Sequence, residues 1–309
     1  MTLSDGNALR LSRRTVLGGL AGLMLPGGLL PGVASAAAEE PFEPPLMTTG
    51  YVHDRQRFQT RLLQKGPAPD KYEPLITPEN AERLIYEGSE LQLVAWVSRY
   101  KRTKTRAPAV LFLHGGNAIG QGHWKQMTPY IEAGYVVMMP SLRGENGQRG
   151  NFSGFYDEIT DVLEAGKRLA HLPGVDPDRI FLAGHSIGGT MALLAAMSTR
   201  RFKAATPISA NPDAYAFFKR YPEDIRFDTS DEREFQLRSP VCYPHSFKCP
   251  LKLMHGVEET RLVTRLGLLS ARTRAAGKHM EIEVVPGGHE TALPGEIQRS
   301  VQFFKSVAA

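Results

Sequence analysis

Cysteine is scarce: the 309 residues contain two, Cys242 and Cys249. That excludes a fold stapled by a disulfide framework. No zinc site and no other metal is expected. Seven positions apart, the pair can close a short disulfide loop or stand as two free thiols. Apolar runs able to cross a bilayer are also missing. The best candidate, Val16 to Leu30, is broken by Gly18, Gly19, Gly22, Pro26, Gly27 and Gly28, so no stable membrane anchor is expected. Nor is there a block of Lys and Arg interleaved with aromatics. The net charge of +5 is spread along the chain, which argues against a nucleic-acid partner. No internal repeat occurs.

What is present begins with an export signal. Ser12-Arg13-Arg14 precedes the broken apolar run, and the small residues "VASAAA" follow it, with Ala34 and Ala36 at cleavage spacing. The paired arginines match a twin-arginine signal. Residues 1–36 are therefore expected to direct the chain to the twin-arginine export machinery and to be cleaved near Ala36. The expected destination is the periplasm or the medium. Residues 37–80 are interrupted by Pro67, Pro69, Pro74 and Pro78 and read as an extended or irregular lead-in.

From residue 81 to 309 the pattern changes. "AERLIYEGSELQLVAWVSRY" reads as two strands around the turn Glu87-Gly88-Ser89. The short apolar runs "AVLFL", "YVVMMP", "RIFLA", "KAATPIS", "LKLMHG" and "MEIEVVP" read as strands. They alternate with helical stretches such as "WKQMTPYIEAG" and "YDEITDVLEAGKRLAHL". Such alternation with short links predicts an α/β fold: a mostly parallel sheet covered by helices on both faces. Residues 211–247, rich in aromatics and charges, interrupt it and read as a small cap or lid. Tyr215, Phe217 and Phe218 in that cap could line a substrate pocket, or form the buried face of a cap helix.

The chemistry centres on "GHSIGG", Gly184 to Gly189, between a strand and an apolar helix. Gly-x-Ser-x-Gly in that context is a nucleophile elbow, with Ser186 lifted above the sheet edge. A serine nucleophile needs a base, and His289 at the end of the last strand is the candidate. The base needs an acid. Glu259, after the strand "LKLMHG", lies between serine and histidine in chain order; Glu258 and Asp213 are its rivals. An oxyanion needs two N–H donors. Ile187 at the helix start supplies one, and Gly116 in "HGGN" the other, with Asn117 as rival.

These residues carry a resemblance. "LFLHGG", "GYVVMMPSLRGENGQRGNF", "DRIFLAGHSIGGTMAL" and the stretch from "SPVCYPHSFKCPLKLMHGVEET" to "VVPGGHE" resemble the catalytic domain of the prolyl oligopeptidase family of α/β-hydrolases, over about residues 82–308. The resemblance implies an α/β-hydrolase fold and a serine hydrolase acting on carboxylic esters or short peptides. It implies neither metal nor organic cofactor. Two positions depart from the family pattern: Ile187 stands where an aromatic is common, and Glu259 where an aspartate is usual. The segment before residue 81 is too short for the family's β-propeller. An acyltransferase using the same residues, or a catalytically silent binding protein on this fold, are the alternative readings.

Overall fold

A computed structural model describes residues 43–308 apart from 71, 72, 89, 102, 103 and 121. The expected export signal, residues 1–36, lies outside the described residues. A short helix, α1 (Tyr51–Gln56), opens the described chain and buries Tyr51. Among the described residues, the rest of the lead-in up to residue 80 is irregular, apart from a bridge between Leu62 and Phe227 of the cap.

β1 (Ala81–Glu87) and β2 (Gln92–Ser98) form an antiparallel hairpin, closed at one end by Gly88 N–H donating to Leu91 O. β3 (Ala107–Leu113) follows, then a 3₁₀ turn (His123–Met127) that leads into α2 (Thr128–Glu132). The expected single helix over "WKQMTPYIEAG" is thus split. Pro129 sits in the first turn of α2, where its missing N–H costs nothing, but it cannot continue a helix arriving from upstream. Next come β4 (Val136–Pro140), α3 (Glu158–Ala170), β5 (Val175–His185), α4 (Ile187–Ser198) and β6 (Ala205–Ile208). The cap follows, with α5 (Ala214–Arg220) and α6 (Glu232–Gln236). β7 (Leu251–Gly256), α7 (Thr260–Ala275), β8 (Met280–Val285) and α8 (Leu293–Ala308) complete the chain.

The eight strands form one sheet in the order β1-β2-β4-β3-β5-β6-β7-β8. β2 pairs antiparallel with β1 and β4, and every pairing from β4 to β8 is parallel. The alternating apolar runs predicted this arrangement, because strands sandwiched between helix layers must be apolar on both faces. Two core clusters lie on opposite faces. One takes Ile159 and Val162 of α3, Met191 and Leu194 of α4, and Leu266 and Leu269 of α7. The other takes Tyr130 of α2 with Ile297 and Phe304 of α8. α4 is apolar all round, and every residue from Ile187 to Met197 is buried. That is what a helix pressed between the sheet and α3 requires.

The cap has its own aromatic core. Phe218 stacks on Phe155 at 5.6 Å and meets Phe227 edge-on at 5.0 Å, while Tyr215 stacks on Phe235 at 4.8 Å. Arg238, fully buried, ties the cap to the body. It pairs with Glu234 at 2.6 Å, donates to Gly154 O, Ser153 O and Thr60 Oγ1, and lies over the Phe227 ring at 4.0 Å. The possible disulfide is not formed: Cys242 and Cys249 are free thiols. Cys242 is fixed in a 3₁₀ turn (Pro240–Cys242) inside the main core, and Cys249 packs at the edge of that cluster. Burial pushes both thiols up to about 12, so they stay protonated.

Candidate active site

β5 ends at His185 and α4 begins at Ile187, leaving Ser186 alone to make the turn. Its backbone sits at φ 55° and ψ −118°, a strained position for a residue with a Cβ. Neighbouring backbone explains the glycines. A Cβ on Gly184 would stand 2.3 Å from Gly188 O, and one on Gly188 would stand 2.2 Å from Leu113 O. The tight crossing of β5, α4 and the end of β3 holds Ser186 up, and its N–H is anchored on Ile208 O at 2.9 Å.

His289 follows β8 in the loop "PGGHE" and reaches across the sheet edge. Its Nε2 lies 2.9 Å from Ser186 Oγ, and its Nδ1 lies 2.6 Å from Glu259 Oε1. Glu259, directly after β7, is fixed through its other oxygen. Oε2 accepts from Ser209 Oγ at 2.6 Å and from Gly256 N–H at 2.8 Å. Of the three acids considered, only Glu259 touches the histidine. Glu258 sits beside Gly288, its N–H donating to Gly287 O. Asp213 caps α5 by accepting from Ala216 N–H at 3.2 Å, and pairs with Arg265 at 3.4 Å.

The electrostatics of this chain are coupled. The hydrogen bond to Glu259, reinforced by its charge, raises the His289 pKa above its ordinary value, although partial burial opposes it. Burial alone would raise Glu259, but hydrogen bonds from His289, Ser209 and Gly256 outweigh it and hold the carboxyl below its usual range. His185 packs at 4.7 Å from the His289 ring and engages His289 O at 2.9 Å. Burial and the neighbouring His289 both lower its pKa. His114 is also committed elsewhere, with Nε2 on Glu145 at 3.1 Å.

The "HGGN" loop lies next to the serine. A Cβ on Gly115 would stand 3.5 Å from Ser186 Cβ, and Gly116 has left-handed backbone at φ 69°. Ile187 N–H belongs to the first turn of α4, whose donors lack intrahelical acceptors. The rival donor Asn117 N–H is already given to Asp70 Oδ2 at 2.5 Å. Asp70, from the lead-in, was not singled out by sequence, and neither was Ser209. No motif marks either; only the folded chain brings them in. Of the three cap aromatics considered, Phe217 lines the cleft beside Ser186. Phe218 is buried against Phe155, and half-buried Tyr215 stacks on Phe235 of α6, so neither lines that cleft. Among the described residues, His185, His289 and Glu290 have donor atoms within 4.8 Å of one another, close enough to hold a metal ion. His289 Nε2 and Nδ1 already face Ser186 and Glu259.

The sequence profile of the prolyl oligopeptidase family matches residues 123–308. The chain belongs to that family. Its matched part runs from the turn before α2 through Ser186, Glu259 and His289 to α8. An uncharacterised peptidase of Bacillus subtilis, YuxL, is 28% identical over 219 residues, 63% of this chain and 33% of YuxL. The human acylamino-acid-releasing enzyme is 23% identical over 74% of this chain and 35% of its own length. The chain thus spans about a third of each of these family relatives. Among solved structures, a Pyrococcus furiosus esterase superposes with a TM-score of 0.62 at 19% identity, covering 80% of this chain and 99% of that one. The acylaminoacyl peptidase of Pyrococcus horikoshii gives 0.62 at 22% identity, over 75% of this chain and 41% of that one. These likenesses establish the α/β-hydrolase fold. Family and fold thus agree: a prolyl oligopeptidase family member on an α/β-hydrolase scaffold.

Proposed function

We propose that this chain hydrolyses carboxylic esters or short peptides through Ser186, His289 and Glu259. The observation that carries the reading is the unbroken hydrogen-bond chain from Ser186 Oγ to His289 Nε2 and from His289 Nδ1 to Glu259. His289 takes the serine proton as Oγ attacks the substrate carbonyl. Ile187 N–H and Gly116 N–H receive the oxyanion, each such donor being worth about 3 kcal/mol of barrier. His289 then gives its proton to the leaving alcohol or amine as the C–O or C–N bond breaks. Water, deprotonated by the same histidine, releases the acid from the acyl-enzyme. Asp70 has to withdraw before Asn117 N–H could join the two donors.

The test is acylation. The wild-type protein should release a burst of p-nitrophenol from a short-chain ester and label with a fluorophosphonate. Ser186→Ala should abolish both and lower kcat by about four orders of magnitude or more, with unchanged circular dichroism. Undiminished turnover in that variant would sink the assignment. A panel of p-nitrophenyl esters against aminoacyl anilides separates esterase from peptidase.

Export through the twin-arginine route is part of the proposal and rests on Ser12-Arg13-Arg14 and the Ala34-x-Ala36 site. Replacing both arginines by lysine should trap the chain inside the cell. Equal recovery of wild type and variant outside it would remove this part.

A further inference from the structure

Two cavities meet at Ser186, and they carry opposite charge. One, of about 310 Å³, is lined by Asp70, Glu73 and Glu290 and by no lysine or arginine. None of these three carboxylates makes a salt bridge among the described residues. His123 on the same wall is neutral, because burial drives its pKa down to about 3. The other cavity, of about 700 Å³, is lined by Lys219, Arg220, Arg261 and Arg265, against Glu258 and Glu259. Glu259 is held by His289, Ser209 and Gly256, and Arg265 is balanced by Asp213. Arg220 Nε donates to the Tyr221 hydroxyl. Lys219 and Arg261 form no ion pair among the described residues, so the basic wall keeps uncompensated charge.

The field therefore changes sign across the serine. A cleft lined by one sign concentrates groups of the other, and two such clefts on either side of one nucleophile select for a dipolar molecule. We propose that the substrate is charge-polarised across the bond it loses, with a carboxylate toward Lys219 and Arg261 and an ammonium group toward Glu73 and Glu290. This rests on the reading of Ser186 as the nucleophile. It narrows "ester or short peptide" to molecules bearing one group of each sign on opposite sides of the scissile carbonyl.

Aryl esters of matched size provide the probe: a neutral ester, the ester with an anionic acyl part and a cationic leaving group, and its isomer with the signs exchanged. One polarised isomer should exceed the neutral ester about tenfold in kcat/KM at low salt, and the other should fall below it. The gap should close in about 0.5 M salt, where the Debye length shrinks to a few ångströms. Lys219→Glu should remove the gain from the carboxylate and Glu73→Lys the gain from the ammonium. The readout for both is the ratio of polarised to neutral ester in kcat/KM, which each reversal should bring down toward one. Discrimination below about threefold, or a preference indifferent to both charge reversals, overturns the proposal. If the neutral ester is turned over without charge discrimination, only this inference fails. If no ester is turned over, the hydrolase reading fails instead. The amide analogue of each isomer, titrated calorimetrically into Ser186→Ala, still reads the preference: tighter binding of one polarised isomer supports it, and equal binding overturns it.

Discussion

At the scale of single residues, His289 sets the working pH. Its raised pKa means that the imidazole is still charged just above the ordinary value of 6.5, and a charged imidazole is no base. The acid limb of kcat/KM should therefore lie above 6.5. Glu259→Gln removes the main cause of the shift, so the limb should move down while kcat falls about a hundredfold or more, as a pH–rate profile would record. Glu296 on α8 is a second titrating group. It is fully buried, and neither carboxylate oxygen has a hydrogen-bond partner among the described residues. Burial first, and the charge of Glu259 second, push its pKa up to about 8. Between its ordinary value of 4.5 and about 8 the folded protein holds a proton that the unfolded chain has lost. Stability should therefore decline as pH rises through that window and level off above it. Glu296→Gln should flatten the slope and raise Tm at pH about 8.5 relative to wild type. An identical pH dependence in the two proteins would mean Glu296 is ionised in the fold. Ser186 and His289 are legible in the sequence because each stands at a strand end in a fixed chain order, whereas Glu258 shares the strand end and order of Glu259, so the contact with His289 Nδ1 decides between them. Ser209 and Asp70 are not legible, because their roles arise from contacts 50 and 47 positions away along the chain.

At the scale of elements, the cap is the part that local pattern describes least well. Aromatics on a short helix look the same whether they face a substrate or a neighbouring helix, and only the packing against Phe155, Phe227 and Phe235 decides it. Arg238 shows what holds the cap in place. Removing it leaves the buried side chain of Glu234 with Thr60 Oγ1 and the Arg61 N–H as its remaining hydrogen-bond partners among the described residues. Arg238→Ala should cost about 3–5 kcal/mol, seen as a lower midpoint in urea or heat. A change under about 1 kcal/mol would show that water reaches the pair. The sheet itself is readable strand by strand, because parallel strands between helix layers leave continuous apolar runs. The break at Pro129 escaped the pattern, because a proline in the first turn of a helix leaves the apolar spacing on either side of it looking continuous.

At the scale of the whole molecule, no helix among the described residues is long and apolar enough to cross a membrane. The chain from Glu43 onward makes one compact unit. Its two core clusters, one on each face of the sheet, close without any covalent crosslink. The free thiols thus have a practical corollary. A native state that contains no S–S bond is indifferent to the redox poise in which the chain collapses, and protonated thiols, one buried and one half-buried, exchange slowly. Denatured protein should regain the same specific activity whether diluted into reductant or into air-equilibrated buffer, and a thiol reagent added to the folded form should find both sulfurs slow to react.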